Sequence, residues 1–231
     1  MSTPTSPAPA AAESAYDRRH RLRDEYVAAV IDLCKDTGTR ADLRSGLGRP
    51  IEQCGRMHRP LAWRVPENSR GERAHYAVAS LIADRPRAVR EARTAAAGTE
   101  SNNESDVASN PVLAAGPVPW NRRPNLGTSL GRAVLAGMKE GSAESHLRLL
   151  TRQGSASIHS RLPSLLQYVQ AKGADVDWAV LLEDLSYWDL NRDEIATRWL
   201  QSFYRTLHAP RPTAEVPADG QNPDTPESEA S

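Results

Sequence analysis

The chain has 231 residues, 29 Lys or Arg against 29 Asp or Glu, and no formal net charge. At face value that balance excludes a strongly basic nucleic-acid binder and an acidic tail protein. The hydrophobic share of 39% is enough for a core but not a rich one, and the longest clean apolar run, Val27 to Ile31, is far too short to span a membrane.

The N-terminal residues 1–17 are rich in Pro, Ala, Ser and Thr, with Glu13 and Asp17 as their only charges. Too little apolar surface is present to fold, so disorder is expected there. No basic stretch followed by an apolar one marks a secretory signal, which points to a cytoplasmic, soluble protein. Helical spacing begins at Arg19 and runs to Asp36, with Leu22, Tyr26, Ala29, Val30 and Leu33 at steps of three and four. Thr39 can cap a short helix through Leu47, stopped by Gly48 and Pro50. Two further helices are expected over Glu72–Ala83 and Pro86–Ala96.

Residues 97–126 form a polar, proline-bearing stretch that reads as a flexible insertion loop. Thr128 or Ser129 can cap a helix to Met138, and Ser142 can open another to Arg152. A helix from Ser160, or from near Ser155 with a kink at Pro163, continues to Ala171. Asp177 caps Trp178–Tyr187, and the last helix, Arg192–Leu207, carries Ile195, Trp199, Phe203 and Leu207 at four-residue steps. Residues 209–231 hold five prolines and a run of acids and are expected to be a disordered acidic tail. No segment alternates cleanly apolar and polar. The expected fold is all-α: one compact multi-helix bundle over residues 18–208, with disordered termini and a long internal loop.

Catalytic motifs are missing. GxxxxGK[ST], GxGxxG and GxSxG do not occur, and no histidine lies at zinc spacing from another histidine or a cysteine. Cys34 and Cys54 are too few for a disulfide scaffold, and Cys34 falls on the apolar side of the first helix. Asp177 reads as a cap rather than half of an acidic motif with Asp175. Glu183 and Asp184 read as a solvated face rather than a metal site. Neither an enzyme nor a cofactor is therefore expected, although carboxylates at Asp175, Asp177 and Asp184 can in principle converge from separate segments.

Segmentation of the charge points to binding. Residues 212–231 hold five acids and no base. Setting both ends aside leaves 29 bases against 22 acids, a body at +7. Arginine outnumbers lysine 26 to 3, and its planar fork suits phosphate. The bases fall at helical steps: Arg40 with Arg44, Arg87 with Arg90 and Arg93, Arg132 with Lys139, and Arg148 with Arg152, with Arg161 beyond. Like charges one turn apart cost a helix a few tenths of a kcal/mol, a cost offset where a phosphate backbone lies across them. Trp178, Trp188 and Trp199 share faces with Leu and Phe and are expected in the core. Trp120, beside Arg122 and Arg123, either stacks on a base or folds back onto the body.

The second half of the chain resembles the CasB family. The resemblance is carried by Ser129-Leu130-Gly131-Arg132-Ala133, then Leu147-x-Leu149-Leu150, then Asp177-Trp178 with Leu181, Leu182, Leu185 and Trp188. It ends on Trp199-Leu200-x-x-Phe203-Tyr204. Upstream, Gly38-x-Arg40-Ala41-x-Leu43-Arg44 is similar to that family's early Arg-rich turn. CasB is the small subunit of Cascade, the type I-E CRISPR surveillance complex. The resemblance implies an all-helical, non-catalytic subunit that self-associates as a homodimer within the complex, partners other Cascade subunits, and holds guide RNA, target DNA and the displaced strand of the opened R-loop through backbone contacts. It implies Arg40, Arg44 and Arg132 as contact residues, with Arg148, Arg152 and Arg161 as further positions. The chain departs from the family near Leu162, where further bases are usual and Pro163 and Ser164 stand instead. The competing reading of the same residues is a helical protein–protein scaffold whose arginines are merely solvated.

Overall fold

The computed structural model describes residues 14–67, 69, 71–86 and 118–209. Among these every regular element is helical, as the sequence patterning requires. The helices are α1 (Ala15–Leu33), α2 (Thr37–Arg44), α3 (Gly55–Leu61), α4 (Glu72–Ala83), α5 (Leu126–Leu135), α6 (Glu140–Thr151), α7 (Ser155–Ala171), α8 (Trp178–Ser186) and α9 (Trp188–Leu207). Short 3-10 turns sit at Ile51–Gln53 and Trp120–Arg122. The tails, the expected helix over Pro86–Ala96 beyond its first residue, and residues 97–117 of the expected loop lie outside the described residues.

Side chains that accept backbone N–H bonds set several of the helix starts. Ser14 accepts from Asp17 N, Asp36 from Thr39 N, Asn125 from Thr128 N, and Asp177 from Ala179 N and Val180 N. Asp177 is the cap that the sequence indicates. Thr39 and Thr128 are not caps. Each lies inside its helix and donates to the true cap three residues earlier, because an Asp or Asn carbonyl oxygen reaches the third N–H as well as a hydroxyl does. Helix α3 escapes sequence detection. Seven residues containing Pro60 give too short a pattern for periodicity to register. The last helix starts one turn earlier than expected, at Trp188, and bends at Asn191, whose φ of −125° and ψ of 26° are not helical.

The elements fall into two groups. Helices α1, α2, α3, α4 and α8 pack on one another, as do α5, α6, α7 and α9; α4 against α7 and α8 against α9 join the groups. The core runs through both, from Val30, Leu43, Met57, Leu61 and Ile82 to Leu130, Leu147, Ile158, Leu162 and Phe203. Trp178, Trp188 and Trp199 are buried in it as the spacing predicts. Cys34 is likewise buried, and burial pushes its thiol up to about 11.

The closest helix pairing depends on two glycines. A Cβ at Gly127 would lie 1.9 Å from the Trp199 carbonyl oxygen, and one at Gly131 would lie 2.7 Å from Thr206 Cβ. Only glycine lets α5 approach α9 this far. That contact buries the Leu130 side of α5 and leaves Arg132 on the outside.

Candidate nucleic-acid interface

The six arginines singled out by sequence all lie among the described residues, and they divide by environment. Arg40 and Arg44 occupy one side of α2, Arg40 half-buried and Arg44 exposed. Arg44 Nε donates to Asp84 Oδ1 at 2.7 Å, while the Asp84 side chain is only 6% exposed. The other Asp84 oxygen accepts from Gln167 of α7 at 2.6 Å. Arg148, exposed on α6, is 2.6 Å from Glu144 and donates to the Tyr204 hydroxyl, which in turn donates to Glu144 at 2.6 Å. That hydroxyl, with Arg148, holds the Glu144 carboxyl below the usual carboxylate range. Arg132, Arg152 and Arg161 are exposed and, with Arg40, have no ion pair among the described residues.

The expected stripes are only partly continuous. Arg148 and Arg152 lie one turn apart, Arg152 at the end of α6. Arg132 and Lys139 are not on one helix. Helix α5 stops at Leu135, Gly137 turns the chain at φ 96°, and Lys139 starts α6. Glycine and the buried Met138 break the seven-residue spacing that looks helical in the sequence. Arg87, Arg90 and Arg93 lie outside the described residues.

Helix α7 links the α2 arginines to Arg161. The loop after α2 rests on it, with the Cβ position of Gly48 3.6 Å from Ser160 Cα and 3.7 Å from Pro163 Cγ. Gln167, one turn further on, holds Asp84 beside Arg44. Ser160, Pro163 and Gln167 therefore form the side of α7 that receives the loop after α2 and the end of α4, and Arg161 is exposed next to it. Pro163, a departure from the family pattern in sequence, is accommodated within the helix and serves as a packing surface.

Other sequence expectations need correction. Glu183 and Asp184 are not on a solvated face. Asp184 is 3% exposed, bonded to Arg198 and, at 2.6 Å, to the Trp199 indole N–H. Burial pushes its carboxyl up to about 6 against the opposing pull of Arg198. Glu183 pairs with Arg19 at 2.8 Å and Arg23 at 3.0 Å. Sequence reasoning missed these partners because Arg23 lies 160 residues upstream and Arg198 lies 14 residues on, in the next helix, and no local pattern joins either to α8.

Residues 118–126 of the expected flexible loop are likewise bound to the body. Trp120 stacks on His20 with centroids 3.7 Å apart, so it folds back. Arg123 bridges Asp177 at 2.7 Å and Asp24 at 2.7 Å while covering the Trp120 ring. Asp177 and Asp184 are thus held by different arginines, seven residues or about 10 Å apart along α8. Among the described residues no three His, Cys, Asp or Glu groups gather as a metal site. No helix among them is long and apolar enough to cross a membrane.

The model for CRISPR-associated protein Cse2 matches residues 39–204. A chain of a solved structure described as a CRISPR RNA-guided surveillance complex is 32% identical, with a TM-score of 0.66, covering 82% of this chain and 95% of that one. A second, described as the same kind of complex in a pre-nicking state, is 32% identical at a TM-score of 0.67, covering 81% and 94%. The crystal structure of M. ruber CasB shares the fold at 19% identity and a TM-score of 0.55, covering 82% and 94%. No curated protein matches. With the family model spanning residues 39–204 and two surveillance-complex chains 32% identical to this one, the chain belongs to the CRISPR-associated Cse2 family.

Proposed function

We propose that this chain is the non-catalytic small subunit of a type I-E CRISPR surveillance complex. In this role it self-associates, docks on sister subunits in the cytoplasm, and steadies guide RNA and target DNA through phosphate contacts. The observation that carries the reading is the 32% identity over 95% of a chain in an RNA-guided surveillance complex. The unpaired, exposed arginines support the nucleic-acid part. Arg132, Arg152 and Arg161 have free guanidinium faces and need no carboxylate released before they meet phosphate. Arg40 is a fourth cation of this kind, half-buried. Arg44 and Arg148 contribute only after exchanging Asp84 and Glu144 for phosphate.

Exchange of one duplex for another in an R-loop is nearly balanced in energy, as is argued for the distinct Cas9-type effectors. A few backbone contacts tip that balance, and they need no base readout. On this reading the helical body over residues 18–208 is the working domain.

The test is binding of the full chain to labelled DNA and RNA across a salt series. Reversing Arg40, Arg132, Arg152 and Arg161 to Glu together is expected to lower affinity at least tenfold and flatten the salt dependence, with helicity unchanged. Unchanged affinity and salt slope would favour the protein–protein scaffold. Affinity purification from the native host adds a second readout: recovery of a repeat-derived guide RNA with sister subunits supports the complex, and recovery of neither overturns it.

A further inference from the structure

The turn that follows α3 presents an aromatic ring the arginine faces do not account for. The chain has five tryptophans. Three are in the core, Trp120 is stacked on His20, and Trp63 is 74% exposed. The turn is not loose. Arg64 N donates to Leu61 O at 2.8 Å and Val65 N to the same oxygen at 3.1 Å. Leu61 and Val65 are buried on either side and aim the residue between them outward. His58 Nδ1 lies 2.9 Å from the Tyr76 hydroxyl and pins α3 to α4.

The chemistry around the ring is one-sided. The Arg64 guanidinium carbon lies 3.5 Å from the Trp63 ring centroid, and its NH1 donates to Pro60 O at 3.0 Å. Residues 55–64 contain Arg56, Arg59 and Arg64 and no acid. None of the three has an ion pair among the described residues. Ala62 keeps helical dihedrals, φ −53° and ψ −41°, so Arg56, Arg59 and Trp63 follow one another at steps of three and four on one side. No other large apolar side chain on α3 or its turn is exposed. A protein partner would want an apolar patch; a lone ring among cations matches a base with its phosphates.

We propose that Trp63, with Arg64, Arg56 and Arg59, is a stacking site for single-stranded nucleic acid. The proposal rests on the anionic partner argued above and deepens it by assigning the unpaired strand to one named side chain. A duplex keeps its bases inside its stack, so only an unpaired strand offers a face to Trp63, while the arginines serve either form.

The test uses the full chain with labelled oligothymidine and with a duplex of the same length, followed by fluorescence anisotropy. Trp63→Ala is expected to weaken single-strand binding about tenfold and duplex binding less than about twofold. Trp63→Phe should keep most of the single-strand affinity. Because the side chain is exposed, the circular dichroism of both variants should match the parent chain. Equal losses on both strand forms, or no loss on either, would overturn the stacking site while leaving the arginine interface standing. Unchanged single-strand affinity with lost assembly onto sister subunits would assign the ring to a protein contact instead. A parent chain that binds neither form would overturn both proposals.

Discussion

Two sets of arginines in this chain are alike in sequence and opposite in structure. Arg19, Arg23, Arg123 and Arg198 hold carboxylates at the joints between α1, α8, α9 and the segment before α5. Arg132, Arg152 and Arg161 stand on helix surfaces with no carboxylate opposite. The acids account for the difference. Asp177, Glu183 and Asp184 lie on or next to one short helix, α8, and are largely withdrawn from water. A buried carboxylate needs a charged or hydrogen-bonding partner, and the fork of arginine supplies both. Where no acid is buried, the arginine stands in solvent. Counting charge along the chain cannot separate the two uses; only the position of the acids does.

The largest expected effect tests the joining set. Arg123→Ala removes the bridge to both Asp24 and Asp177 and uncovers the Trp120 ring. A fully buried pair broken from one side costs 3–5 kcal/mol. With Asp24 half-exposed, about 2 kcal/mol is expected here, read as a lowered midpoint in urea. Arg123→Lys should recover little, because an ammonium cannot bridge two carboxylates in bidentate fashion. A loss no larger than that of Arg161→Ala would erase the distinction between the sets.

The second effect concerns pH, since buried histidines and the buried aspartate pull in opposite directions. Burial holds His75 and His159 down to about 4, and pushes Asp184 up to about 6. Between about pH 4 and 6 the unfolded chain binds two more protons at the histidines than the folded chain does. At Asp184 it binds one fewer. These three groups leave a net of about one proton, and His20, also lowered by burial, adds in the same direction, so stability is expected to fall on acidification by about 1 kcal/mol per pH unit or more in that window. His159, whose Nδ1 has no partner, is the better residue to change. His159→Met should lower the slope by about 1 kcal/mol per pH unit, as followed by urea melts at several pH values. An unchanged slope would place the acid sensitivity elsewhere.

Much of this was legible beforehand, and the parts that were not share a cause. Periodicity located Glu72–Ala83 to the residue and put three tryptophans in the core, because apolar spacing reports directly on which side is buried. Asp177 was readable as a cap because capping is a contact with the next three residues. The fate of Glu183 and Asp184 depends on Arg19, Arg23 and Arg198, brought in by tertiary packing, which no local pattern reports. The same holds at the interface. Arg44 and Arg161 look equivalent in sequence, yet Asp84, itself held by Gln167 of α7, arrives from the end of α4 to occupy Arg44. Trp63 carries no signal in the sequence, since a lone aromatic after a seven-residue helix has no period to break.

Arg44 is consequently intermediate between the sets and gives the third expected effect. Its side chain is 63% exposed, but its partner Asp84 is 6% exposed. Arg44→Ala should cost about 1 kcal/mol, most of it from the carboxylate left behind with only Gln167. Removing Asp84 as well, as Asp84→Asn on the Arg44→Ala background, should restore part of that loss. If the double variant is no more stable than the single, the pair contributes nothing and Arg44 belongs with the surface arginines.

Arg161 should show the smallest change in stability and so isolates the surface set. It is exposed, pairs with nothing among the described residues, and lies beside the Ser160–Pro163 surface that the α2 loop already covers with backbone and ring atoms. Arg161→Ala therefore removes no buried contact, and the unfolding midpoint should move by less than about 0.5 kcal/mol. Its effect belongs to binding. One phosphate contact fewer should reduce the slope of log affinity against log salt by about 1, evenly across DNA sequences, because the contact carries no base information. A stability loss like that of Arg44→Ala would mean that α7 uses this side chain to hold α2. A sequence-dependent change in affinity would mean that it meets a base edge and not the backbone.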